Sequence, residues 1–95
     1  MRFQWDGDKE KLNIRKHGID FLTAAYVFDD PNHIEIFDEK HSEYENRFIV
    51  IGTADNIAVI LFVVYTERGE FIRIISARKA TKNEREMYYA YSEGY

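Results

Sequence analysis

Several features that would point to particular classes of protein are missing from this sequence. It has no cysteine, which excludes disulfide bonds and thiolate metal sites. No apolar run approaches the roughly 18 residues that a membrane-spanning helix needs, and residues 1–6 lack the apolar core of a secretory signal. No internal repeat, linker or low-complexity tract interrupts the 95 residues. We therefore expect one soluble, cytoplasmic domain, residues 1–95, that makes no membrane contact.

The sequence also lacks the excess of positive charge that is typical of nucleic-acid-binding proteins, because its net charge is −4. The charge is nevertheless segregated along the chain. Residues 29–45 carry seven acids and one base, whereas residues 73–85 carry five bases and one acid. Two interpretations stay open: the two segments pair with each other, or one forms a basic ligand-binding face and the other an acidic face for a partner.

Apolar side chains are plentiful enough for a core, since 45% of the residues are hydrophobic and 16% are aromatic. Capping residues and periodicity predict one strand, two helices, four strands and a last helix. The strands are expected at 3–5, 33–37, 47–53, 57–66 and from 71 to about 77, with a turn at 54–56, and the helices at 8–17, 21–28 and from 82 onwards. Because short links join the last four strands, we expect an α+β fold. Its N-terminal helices and one C-terminal helix would pack on a four-stranded, or slightly larger, antiparallel sheet.

Two arginines in the last predicted strand are the first candidates for function. Arg73 lies inside an apolar run and Arg78 lies at its end. A guanidinium held near a hydrophobic sheet is costly unless an anion meets it. That anion would be either a carboxylate from residues 35–45 or a phosphate, whose geometry the forked guanidinium matches. Because the two arginines are five residues apart, a regular strand would direct them to opposite faces.

A second group of candidates lies where a loop leads into the strand at 47–53. His41, Glu45 and Arg47 could supply a base, a charge stabiliser and an acid. Glu45 and Arg47 would share a face if the strand extended to residue 45. The alternative is an ordinary salt-bridged start of a strand.

Further candidates are weaker on local sequence. Lys16 and His17 end the first predicted helix, where basic residues favour the helix dipole but could also contribute to an anion-binding rim. Tyr65, near the end of a strand, is the aromatic residue that we keep as a site candidate. The three histidines lack zinc-motif spacing, and we expect neither a metal nor a cofactor.

Several short motifs are spread over nearly the whole chain, from Phe3 to about Tyr89. They are Phe3-x-Trp5-Asp6, Lys16-His17-Gly18, Asp30-Pro31, His41-Ser42-x-x-Glu45-x-Arg47, Ile51-Gly52, Val63-Val64-Tyr65-Thr66 and Ile74-Ile75-Ser76-Ala77-Arg78-Lys79. Each motif alone would be weak, but their combination is specific, and it strongly resembles the BrnT toxin family.

The resemblance implies a bacterial type II toxin with a RelE-like fold that cleaves RNA without a metal. It further implies a cognate BrnA-type antitoxin that neutralises the toxin and through which the complex contacts operator DNA. For such chemistry we assign phosphate and transition-state charge to Arg47, Arg73 and Arg78, and the role of base to Glu45 or His41. The residues expected to assist in binding phosphate are Lys16, His17, Tyr65 and Lys79.

A second hypothesis is a non-catalytic module that binds the antitoxin and acts as a co-repressor without nuclease activity. The acidic net charge favours it, because phosphate neutralisation supplies most RNA-binding energy. It would be supported if all three arginines were salt-bridged to acids of residues 35–45. A small domain whose charges are solely structural is a third possibility.

Overall fold

The computed structural model describes residues 1–54 and 58–92. The predicted order of elements is confirmed, with two short 3₁₀ turns in addition. The strands are β1 (Arg2–Gln4), β2 (Ile34–Phe37), β3 (Arg47–Thr53), β4 (Ile60–Arg68) and β5 (Phe71–Lys79), the helices are α1 (Gly7–His17), α2 (Phe21–Ala25) and α3 (Lys82–Ser92), and the 3₁₀ turns are Tyr26–Asp29 and Glu39–His41. Residues 55–57, in the turn predicted at 54–56 and the expected start of β4, lie outside the described residues. Within the described ranges, no helix is both long and apolar enough to cross a membrane.

The five strands form one sheet in the order β1-β5-β4-β3-β2. The pairs β2–β3, β3–β4 and β4–β5 are antiparallel, as their short links predicted. β1 lies parallel to β5 at the edge, so the sheet is mixed rather than wholly antiparallel. This difference arises because β1 and β5 are separated by two helices and three strands, and so long a connection permits parallel pairing.

The first face of the sheet is covered by the N-terminal helices. The side chain of Asp6 accepts the backbone N–H groups that begin α1, and Gly18 ends it with a left-handed φ of 73°. Asp20 caps α2 in the same way as Asp6 caps α1. The buried apolar core between these helices and the sheet contains Ile19, Phe21, Ala24, Val27, Phe28, Val50, Leu61, Val63, Tyr65, Ile74 and Ala77.

Asn13 holds α1 against β5 beyond the point where β1 ends. Its side-chain Nδ2 donates to the carbonyl oxygens of Ala77 and Ile19, at 2.8 and 2.9 Å, and its Oδ1 accepts the Ala77 N–H at 3.0 Å. The Asn13 side chain therefore makes the hydrogen bonds that a neighbouring strand would make, and it satisfies the backbone N–H and carbonyl groups of the fully buried Ala77.

The second face of the sheet is only partly covered, by α3. A capping box begins this helix: the Thr81 N–H donates to Glu84, and the Glu84 N–H donates to Thr81. Tyr88 packs onto the sheet with Ile51 and Ile60. The remainder of this face is left open to solvent and forms the floor of the candidate site.

Candidate active site

A groove of about 360 Å³ lies on the open part of the second sheet face. We call it the sheet groove. Its floor is apolar, and its polar groups come from the 38–41 turn, from the first residue of β3 and from β5. The lining residues are Asp38, His41, Arg47, Ile49, Phe62, Val64, Ile75, Ser76 and Arg78. An apolar floor with a few converging polar groups is typical of a ligand-binding site.

A β-bulge in β5 brings Arg73 and Arg78 to the same face, which corrects the expectation of opposite faces. Val64 pairs with Ser76 and Tyr65 pairs with Ile74, so Ile75 is an extra residue in β5. Each bulge residue shifts the alternation of side chains by one. An odd separation in sequence thereby becomes an even one in the sheet.

Arg78 is neutralised by a carboxylate from α3. Its two terminal nitrogens donate to the two oxygens of Glu84 at 2.8 and 3.0 Å. The guanidinium also lies 4.0 Å from the centre of the Phe62 ring, a cation–π arrangement. The hydrogen bonds that Arg78 donates to Glu84 raise the pKa of Arg78 above its ordinary value. The anion predicted for this arginine is thus a carboxylate, but it comes from residue 84 rather than from residues 35–45.

Arg73 and Arg47 have no carboxylate partner within the described residues. Arg73 is half-buried and donates to the side-chain oxygen of Gln4 at 2.7 Å, and it does not line the sheet groove. Arg47 is half-buried at the start of β3 and lines the groove. Because no described acid lies within ion-pairing distance of either guanidinium, both charges are available to an anion.

His41 and Asp38 form a hydrogen-bonded pair at the rim of the groove. His41 Nδ1 lies 2.9 Å from the Asp38 carboxylate, which is 14% exposed, whereas the imidazole is 65% exposed. Ser42 fixes the turn, because its hydroxyl donates to the Asp38 carbonyl at 2.5 Å and accepts the Arg47 N–H at 2.9 Å. A carboxylate on Nδ1 orients the ring and leaves Nε2 for chemistry. Asp38 was not among the residues predicted for the site, although its three-residue spacing from His41 within a turn was a usable signal.

Glu45 lies outside the strand and away from the groove floor, because β3 begins at Arg47 rather than at residue 45. Its carboxylate accepts from Arg68 at 3.3 Å in an exposed ion pair. Both residues line a second depression of about 290 Å³, with His41, Tyr44 and Arg47. We call this depression the side cleft. It joins the sheet groove at His41 and Arg47, which line both.

Two of the four predicted phosphate-binding residues, Tyr65 and Lys79, lie on the face of the sheet opposite the sheet groove. Tyr65 is 2% exposed in the core of the first face, where its hydroxyl donates to Glu35 at 2.6 Å. Burial and that carboxylate raise the pKa of Tyr65. Lys79 pairs with Leu61 and therefore points to the first face. The alternation of side chains along β4 and β5 separates both from Arg47.

Lys16 and His17 lie in the last turn of α1, beside a shallow groove of about 200 Å³. This groove shares Ile75 and Ser76 with the sheet groove. The two grooves therefore adjoin at the bulge, and the helix cations flank the end of the sheet groove remote from His41.

The fold and the groove define a class: a small α+β domain that presents unpaired arginines and an aspartate–histidine pair on one open sheet face. In residues 1–54 and 58–92, no cluster of three or more His, Asp or Glu side chains is placed to hold a metal ion. The family model described as the ribonuclease toxin BrnT of type II toxin–antitoxin systems matches residues 5–84. The chain belongs to this family, which confirms the resemblance seen in the sequence. A comparison with curated proteins gives no match.

Proposed function

We propose that this chain is a metal-independent endoribonuclease toxin whose reaction takes place in the sheet groove. The observation that carries the proposal is the position of Arg47, a half-buried guanidinium with no described carboxylate partner, which shares two adjoining depressions with His41. A half-buried guanidinium without a carboxylate partner in the protein can bind an anionic ligand, and phosphate matches its forked geometry.

In the proposed reaction the 2′-oxygen of a ribose bonds to the adjacent phosphorus, and the bond from phosphorus to the 5′-oxygen breaks. His41 Nε2 takes the 2′-hydroxyl proton, and Asp38 stabilises the imidazolium that forms. Arg47 donates to the phosphoryl oxygens as negative charge develops on them. The 5′-oxygen takes a proton from water, and the His41 imidazolium returns its proton to the hydroxide that this leaves. The products are therefore a 2′,3′-cyclic phosphate and a 5′-hydroxyl.

The other cations are proposed to bind RNA rather than to react. Arg73, Lys16 and His17 lie on or beside the same face and would contact neighbouring phosphates. Arg78 is already paired with Glu84, so its contribution to binding is proposed to be smaller. With so few free cations, the protein should bind RNA modestly, and its affinity should fall gently with salt.

The binding module without nuclease activity is supported less well. Ion pairs between all three candidate arginines and acids of residues 35–45 would have supported that hypothesis. Of Arg47, Arg73 and Arg78, one is ion-paired in the described structure, and its partner is Glu84. We further propose that the fold is RelE-like, that the protein acts in the cytoplasm, that a BrnA-type antitoxin neutralises it and that the complex contacts operator DNA through that antitoxin.

The test is cleavage of single-stranded RNA by pure, partner-free protein in excess EDTA. Arg47→Ala should lower kcat by about 10²–10³, the usual effect of removing one donor to a developing oxyanion. Arg2→Ala is the matched control, because Arg2 sits in an exposed ion pair with Glu70 on the edge strand. Equal cleavage by the Arg47→Ala variant and the wild type would refute the assigned site. A wild type that cleaves neither free RNA nor RNA in a translating extract would refute nuclease function.

The choice between His41 and Glu45 as base is tested separately. His41→Ala should lower kcat by about 10²–10⁴, whereas Glu45→Gln should change kcat little. Asp38→Asn should lower kcat by an intermediate factor. The His41 imidazole remains in this variant, but the group that orients it and stabilises its charged form is weakened. The reverse ranking of the His41 and Glu45 variants would transfer the role of base to Glu45.

A further inference from the structure

The side cleft contains an aromatic residue with no role in the fold. Tyr44 is 95% exposed, the highest exposure among the large hydrophobic residues described. It lies in the bend between the Glu39–His41 turn and β3. Large aromatic side chains normally bury much of their area, so packing does not account for this ring.

The position of Tyr44 links it to the proposed chemistry. The side cleft also contains His41 and Arg47, and both of these line the sheet groove. A nucleotide whose phosphate met Arg47 would therefore have the side cleft directly beside it. An exposed aromatic face at that point can stack on a base, since every base offers a π-face.

Charge at the cleft suits the same ligand. Arg68 also lines the cleft, and its contact with Glu45 is a single bond of 3.3 Å between exposed groups. Exposed ion pairs of this kind are worth little, so Arg68 can exchange its partner for a second phosphate at small cost. The cleft thus combines one aromatic platform with two cations, Arg47 and Arg68.

We propose that the side cleft is a nucleobase subsite in which Tyr44 stacks on an unpaired base next to the scissile phosphate. The substrate class that follows is single-stranded RNA, because a base held in a duplex stack cannot offer its face to a side chain. This inference rests on the proposed function, but its test does not require cleavage.

The experiment measures the affinity of a labelled single-stranded 2′-deoxy oligonucleotide, which lacks the attacking 2′-hydroxyl and so stays intact. Tyr44→Ala should weaken binding about 5- to 150-fold, the range found when one stacking aromatic is removed. Tyr44→Phe keeps the ring and should bind within about twofold of the wild type. Tyr91→Ala is the matched control, because Tyr91 is a 66% exposed tyrosine on α3. It does not line the side cleft.

A duplex of the same sequence should bind the wild type as weakly as the single strand binds the Tyr44→Ala variant. Unchanged single-strand binding by Tyr44→Ala, or no binding by the wild type, would overturn the inference. A Tyr44→Ala variant that binds the oligonucleotide normally but no longer binds the antitoxin would also overturn the inference, because the cleft would then be a protein contact. A wild type that binds through Tyr44 but does not cleave RNA would refute the proposed nuclease function and leave the subsite standing.

Discussion

Replacement of Asn13 by alanine should destabilise the protein strongly, because this one side chain makes three buried hydrogen bonds. At about 1 kcal/mol each, their loss amounts to about 3 kcal/mol. The higher helix propensity of alanine offsets about 0.5 kcal/mol of this. The expected net loss in unfolding free energy is therefore about 2.5 kcal/mol. For a domain of this size, that corresponds to a fall in Tm of about 10–20 °C.

Urea unfolding followed by circular dichroism measures this change directly. Asn83→Ala is the matched control, since Asn83 is an exposed residue in the first turn of α3 and its loss should change stability by less than about 0.5 kcal/mol. Asn13→Asp should be at least as damaging as Asn13→Ala, because a carboxylate oxygen would then face the carbonyls of Ile19 and Ala77. A loss below about 1 kcal/mol in Asn13→Ala would refute the argument that Asn13 replaces a strand neighbour.

Three further predictions concern the cluster around Asp30. Gly52→Ala should destabilise by about 1–3 kcal/mol in urea unfolding, because a Cβ there would lie 2.9 Å from Asp30 Oδ2; an unchanged midpoint would contradict this. Tyr88→Phe should lower the unfolding free energy by about 1.5 kcal/mol, since the buried Tyr88 hydroxyl donates to Asp30 at 2.6 Å, and a thermal melt that shows no loss would refute it. Burial opposes the charged form of His33, but its hydrogen bonds to the Asp30 carbonyl and to Glu35 raise its pKa above 6.5. The stability that His33 contributes is therefore complete below pH 6.5 and lost as the pH rises through the folded value. The difference in stability between wild type and His33→Gln should shrink over that window, and a constant difference would contradict the prediction.

Local signals in the sequence were sufficient for most of the secondary structure. Asp6, Gly18, Asp20 and Thr81 each act within a few residues, through caps and a left-handed stop. The bounds of β3 were likewise predictable from its composition. Such features depend on neighbours along the chain, and a sequence displays those neighbours directly.

The candidate site was predictable only in part. His41 and Arg47 are six residues apart, and the structure brings them to one groove, as their proximity in sequence suggested. Of the two anions considered for Arg78, the carboxylate was expected from residues 35–45, whereas Glu84 supplies it. Charge alone does not distinguish Glu84 from the earlier acids. Tyr65 was retained as a site candidate because its position near the end of a strand did not show which face it occupies.

What the sequence determined by itself was the kind and order of elements, the family, and the residue types available for phosphate chemistry. Tertiary structure alone decided which of those residues meet. The bulge at Ile75 places Arg73 and Arg78 on one face. The parallel pairing of β1 with β5 brings Gln4 to Arg73. Glu84 of α3 neutralises Arg78, whereas Arg47 makes no ion pair with a described acid. The physical reason is that register and ion pairing depend on residues distant in the chain, and one inserted residue reverses the face of every side chain beyond it.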